Sequence, residues 1–174
     1  MTRATLSCIL LLVLGCAHQP PANTPADARF QGVQSRGADV MGVDQYTSMH
    51  VFENLADGGR ILLVRQDTTD AAGTATIRAH LRSIADSFSH GNFSNPSAVH
   101  DMVVPGTETM ARLRDRITYR EQDRPGGGEV RITTTDPEAL AAIRDFLAFQ
   151  RMDHRAAGHE GMDHSAMEHP AQSP

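Results

Sequence analysis

Residues 58–88 read GGRILLVRQDTTDAAGTATIRAHLRSIADSF, and residues 126–150 read GGGEVRITTTDPEALAAIRDFLAFQ. Each stretch opens on a glycine-rich turn, passes through a β-rich run, reaches an Asp at a helix start and continues with Ile-Arg-x-x-Leu. Asp70 aligns with Asp136, Ile77 with Ile143 and Leu81 with Leu147 at one constant offset, while the strands before them need a short gap. Duplication of one unit and convergence on a simple motif are both compatible with this pattern.

Local chemistry gives both halves the same shape. Met49–Asn54 and Arg60–Gln66 flank Asp57-Gly58-Gly59, a strong hairpin signal, and Ile117–Glu121 and Glu129–Thr134 flank Pro125-Gly126-Gly127-Gly128 in the same way. Ile117, Tyr119, Val130 and Ile132 alternate with polar residues, which predicts a sheet with one buried face and one wet face. After Asp70, the stripe Ile77, Leu81, Ile84 and Phe88 predicts an amphipathic helix. Asp136 as N-cap and Pro137 in the first turn predict a second helix that buries Leu140, Ile143 and Leu147. A short helix over about Glu108–Arg114 is expected to bridge the halves. The expected fold class is α+β: two ββα units form a four-stranded antiparallel sheet with helices on one face.

The flanks read differently. Residues 1–15 have Arg3 followed by an apolar run from Leu6 to Leu14, too short to span a bilayer as a mature helix. Val13-Leu14-Gly15-Cys16 resembles the lipobox of bacterial lipoproteins, apart from Leu14, where Ala or Ser is commoner. That resemblance implies cleavage after Gly15, acylation of Cys16 and anchoring to a lipid bilayer. Ala17, where an Asp would signal inner-membrane retention, points to the outer membrane facing the periplasm. Residues 16–40 are rich in Pro, Ala, Gln and Asn without apolar periodicity, and read as a flexible tether. Residues 41–151 carry globular composition and form the expected single domain. Residues 152–174 read as a disordered tail.

The globular segment also resembles a group of small exported bacterial proteins. The residues that carry the likeness are Met41-Gly42-Val43-Asp44-Gln45, Gly91-Asn92-Phe93, Val99-His100-Asp101, Pro105-Gly106, PGGG, ITTTDPEALAAI and FLAFQ. It implies a common fold and brings no mechanism with it.

Composition excludes several functions. The two cysteines, Cys8 and Cys16, fall to the signal segment and to acylation, leaving no thiol for a disulfide or for thiol catalysis in the mature domain. The chain contains no lysine, which removes Walker A and Schiff-base chemistry. A formal charge of −5 without a basic stripe argues against nucleic acid. Gly126-Gly127-Gly128 precedes a strand rather than a helix, so it reads as a turn and not as a phosphate loop.

Chemistry concentrates in histidine and methionine. In MDHRAAGHEGMDHSAMEHP, His154, His159, His164 and His169 recur every fifth residue, interleaved with Met152, Met162 and Met167. Such a step turns about 140° around an α-helix, which suits core packing poorly and a chain wrapping an ion well. Imidazole and thioether without thiol favour copper, with silver able to replace Cu(I). The segment resembles the Met/His-rich repeats of bacterial envelope copper-resistance proteins, and that likeness implies envelope metal-handling partners.

Inside the domain, His50, His80 and His100 with Asp101 form a possible secondary site, in which His100-Asp101 would supply a base and its orienter. The bland alternative makes His50 a strand-face residue, His80 a helix-boundary residue and Asp101 a turn former. The leading expectation is a non-enzymatic lipoprotein that binds copper-class ions through its tail. Two rivals stand beside it: an envelope interaction or structural module, and a small ligand-binding or hydrolytic domain using His80, His100 and Asp101.

Overall fold

The computed structural model describes residues 24–42 and 46–156. In chain order the elements are α1 (Pro25–Met41), β1 (Ser48–Leu55), β2 (Gly58–Arg65), α2 (Ala71–Ser89) and α3 (Ser94–His100). There follow α4 (Thr107–Arg112), a 3-10 turn at Arg114–Arg116, β3 (Ile117–Arg124), β4 (Gly127–Thr134) and α5 (Pro137–Asp153). The strands form one antiparallel sheet in the order β1-β2-β4-β3, so the two expected ββα units meet at β2 and β4. Both expected N-caps are made: Asp70 accepts from the Gly73 amide, and Asp136 from those of Glu138 and Ala139.

The two halves are related by an approximate two-fold axis through the centre of the sheet. Ser48 lies opposite Arg65 in the first hairpin, and its counterpart Ile117 lies opposite Thr134 in the second. The central ladder maps onto itself, since Gly58 pairs with Thr133 where Val64 pairs with Gly127. Glycines obey the same symmetry. A Cβ on Gly58 would stand 2.1 Å from the Ile132 carbonyl oxygen, and one on Gly127 would stand 2.0 Å from that of Leu63. Next to them, a Cβ on Gly59 would press on Leu147 and one on Gly128 on Leu81, the matching leucines of α5 and α2. Glycine is therefore used here for close approach of backbone and helix.

α2 lies mainly over β3 and β4, whereas α5 lies mainly over β1 and β2. The five buried residues of α2 are Ile77, His80, Leu81, Ile84 and Phe88. Their counterparts Ile143, Phe146, Leu147, Gln150 and His154 are all buried as well. Leu140, expected in the core, is only half-buried, and the smaller Ala139 one residue earlier is fully enclosed. On the sheet's other face Arg60 bridges the buried carboxylates of Glu53 and Glu129, and Arg124 also reaches Glu129.

Three local readings change. The stretch taken as tether through residue 40 is helical from Pro25. Thr24 and Asp27 form a reciprocal capping box around Pro25, and Val33 is fully buried. α1 packs on α3, and Arg36 donates to the Val99 carbonyl at 2.8 Å. α3 itself carries no periodic stripe in the sequence and is an unexpected element. At the other end the domain does not stop at Arg151, because α5 runs to Asp153 and His154 caps it. Cys16 with its lipobox, residues 43–45, and His159, Met162, His164, Met167 and His169 lie outside the described residues. Among the described residues no helix is long and apolar enough to cross a membrane.

The glycine contacts give a stability test. Gly127→Ala is expected to lower unfolding free energy in urea by about 1–3 kcal/mol, the usual cost of overpacking. An unchanged denaturation midpoint would mean that β2 and β4 do not approach as closely as described.

Candidate functional site

Four elements each deliver one histidine to the same place under the helices. Strand alternation turns His50 of β1 to the helix-covered face with Phe52, and His80 stands on the buried stripe of α2. His100 ends α3, and His154 caps α5. None is more than 9% exposed, and all four line one cavity of about 50 Å³. The rest of the wall is mostly carbon, from residues such as Phe52, Ile61, Leu63, Ile84, Phe88 and Phe146.

The rings are in mutual contact. The His154 ring centre lies 5.0 Å from that of His100, 5.7 Å from that of His50 and 5.5 Å from that of Phe52. His100 is held at both nitrogens: Nδ1 is 2.5 Å from Asp153 Oδ2, and Nε2 is 2.8 Å from Gln150 Oε1. Arg29 of α1 donates to the same Asp153 carboxylate. His50 Nε2 meets Ser48 Oγ at 3.1 Å. By contrast, buried His80 Nε2 has no hydrogen-bond partner among the described residues. Such an atom in an apolar wall loses its water without replacement, which costs about 1–3 kcal/mol.

Burial disfavours the charged form of three of these histidines. Burial pushes His50 down to about 4, helped by the neighbouring charge of His80, and burial alone pushes His80 down to about 4. His154 is pushed down to about 3 by burial and by repulsion from His100 and His50. Burial opposes ionisation of Asp153, but hydrogen bonds from Arg29 and His100 outweigh it and hold its carboxyl below the usual range. Among the described residues, no group of three or more His, Cys, Asp or Glu is placed to hold a metal ion.

The two-fold axis shows that packing does not require these histidines. The counterparts of His50, His80 and His154 are Tyr119, Phe146 and Phe88. In that half Phe88 stacks on Phe93 at 4.4 Å and meets Tyr119 and Phe146 edge-on at 5.8 Å. The contact between His50 and His154 thus repeats the contact between Tyr119 and Phe88. One half sets Tyr119 against Phe88 and the other sets His50 against His154, while Phe88 and Phe146 also reach the wall of the four-histidine cavity.

Several expected site residues move. His50, His80 and His100 do come together, but Asp101 does not join them. It is exposed, caps α3 in the left-handed region at φ 53°, and the acid on His100 is Asp153 instead. His154 is part of this pocket and not of the tail, because helix α5 carries it inward along the stripe begun by Ile143. Met152 stays on the surface, 70% exposed. Asp153 and Gln150 were missed by sequence reasoning. The signal was available, since Ile143, Leu147, Gln150 and His154 continue one helical stripe past the apparent end of the domain.

The neutral histidines fix an acid dependence. Unfolded histidine takes up its proton near pH 6.5, whereas these three resist until about pH 3–4, so between those values the unfolded chain binds more protons. Stability is therefore expected to be level above pH 6.5 and to fall as pH drops toward 4, by roughly 1.4 kcal/mol per pH unit for each histidine. Urea denaturation at a series of pH values checks this, and a flat profile from pH 6.5 to 4.5 would contradict it. No family model matches the chain, and neither the curated proteins nor the solved structures provide a match, so its function has to be argued from the chemistry of this pocket.

Proposed function

We propose that this chain is an exported, lipid-anchored binding protein whose domain holds a small molecule in the four-histidine pocket. The observation that carries the reading is His80, whose Nε2 is buried and unpartnered among the described residues and which lines a cavity on which histidines from four separate elements converge. Convergent polar groups in a mostly apolar concavity are the usual signature of a ligand site. Binding is favoured over hydrolysis because both nitrogens of His100 are already engaged, by Asp153 and Gln150, leaving that imidazole no free position from which to take a substrate proton. Cys16 in its lipobox supports anchoring in the cell envelope, with the outer membrane facing the periplasm favoured by Ala17.

Histidine ring resonances in the full-length chain report directly on the site. A library of small fragments is expected to perturb the rings of His80 and His154 saturably while leaving exposed His90 unmoved. If no fragment moves the buried rings, the pocket is packing only, and the interaction-module reading takes its place.

The His/Met recurrence favours a second, separate activity. His159, Met162, His164, Met167 and His169 alternate imidazole and thioether, the donor set suited to copper-class ions and to exchange with envelope metal-handling partners. His154 leaves that donor set because it is buried in the pocket, whereas the exposed thioether of Met152 remains available to it. Copper titration by calorimetry is expected to lose its saturable phase when residues 157–174 are removed. Identical uptake by the shortened chain would end this second reading without touching the first.

A further inference from the structure

The wall of the pocket restricts what can occupy it. No carboxylate or guanidinium lines it; Asp153 stands behind His100, with its oxygens taken by His100 and Arg29. A charged guest would thus lose its water shell without meeting a carboxylate or a guanidinium in the wall. The cavity of about 50 Å³ is well below the roughly 150 Å³ that accepts a benzene ring, so only a few heavy atoms fit. An imidazole nitrogen donates or accepts according to tautomer, and a hydroxyl can answer either. Ile61, Leu63, Ile84 and Phe146 offer aliphatic and aromatic contact to the rest of the guest.

Resting on the ligand-binding reading above, we propose that the pocket takes the uncharged, hydroxyl-bearing end of a short aliphatic molecule, anchored by a hydrogen bond to His80 Nε2. His154 and His50 add imidazoles to the polar part of the wall, which Asn95 and Gln150 share, where their counterparts are Phe88 and Tyr119. The structure thereby supplies its own substitution for the test. His80→Phe installs the ring that Phe146 already carries at the equivalent place, and it removes the anchoring nitrogen.

The experiment compares three isosteres at pH 7 on the full-length chain: 1-propanol, propionate and propylammonium. Propanol is expected to shift the His80 ring resonances saturably in the millimolar range, with the two ions roughly tenfold weaker or worse for want of a counter-charge. His80→Phe should abolish the propanol response, read in the variant at the His50 and His154 rings that line the same cavity, and the dispersion of its amide spectrum reports whether the fold is kept. His80→Leu, which also lacks the nitrogen, repeats the test should the larger ring disturb packing. Equal or stronger binding of either ion overturns the uncharged class while the pocket stands, and so does displacement of propanol from His80 by Zn(II) or Cu(I). A folded variant that still binds propanol overturns the role of His80. Silence toward propanol, where other fragments move His80, overturns the hydroxyl class alone.

Discussion

Antiparallel pairing of β2 with β4 is possible only because Gly58 and Gly127 carry no Cβ where each strand passes the carbonyl of the other. Gly59 and Gly128, one residue further on, leave room for Leu147 and Leu81 to seat the two helices against the sheet. Strand contact and helix seating thus meet in the same two dipeptides. Because β1 pairs with β2, the central ladder also sets where His50 stands relative to α5. A shift of register by one residue would turn His50 and Phe52 to the wet face and dissolve the cavity.

The approximate symmetry makes the asymmetry of side chains informative. A protein interior gains most from aromatic carbon at positions of this size, and the half containing Phe88, Phe93 and Tyr119 is built that way. His50, His80 and His154 occupy matching positions with groups that must remain neutral to stay buried and that form fewer apolar contacts. Local rule-breaking at one of two equivalent sites is what a binding function would impose. It also makes duplication with divergence a better account of the repeat than chance, since strand register, N-caps, glycines and all five buried helix positions correspond together.

Much of the fold could be read from short-range chemistry. Hairpin glycines, the N-caps Asp70 and Asp136, and the stripe from Ile77 to Phe88 each act within a few residues, so their meaning survives without knowledge of the rest. α1 was hidden for the opposite reason: its capping box is local, but its apolar content is slight, and Val33 is buried only because α3 and α5 lie beside it. The pocket was half legible. His50, His80 and His100 stood out as residues, yet nothing in sequence distance links His100 to Asp153. Asp101, its immediate neighbour, looked the better partner, but the left-handed backbone at that residue ends α3 there and leaves its side chain exposed. His154 was misread because the Met-Asp-His repeat drew it toward the tail, although helical phase from Ile143 placed it inside.

The same acid ties the pocket to the N-terminal end of the chain. Asp153 is 4% exposed at its side chain and receives Arg29 from α1 as well as His100 from the pocket wall, while Arg155 reaches back to Asp27. A carboxylate so deeply placed needs both partners, because removing one leaves a buried charge half-compensated. Seating of α1 therefore bears on the orientation of His100, and α1 is the first described element after Cys16. If Cys16 is fixed in a bilayer, the folded body meets its anchor through the helix that helps hold one wall of the cavity in place.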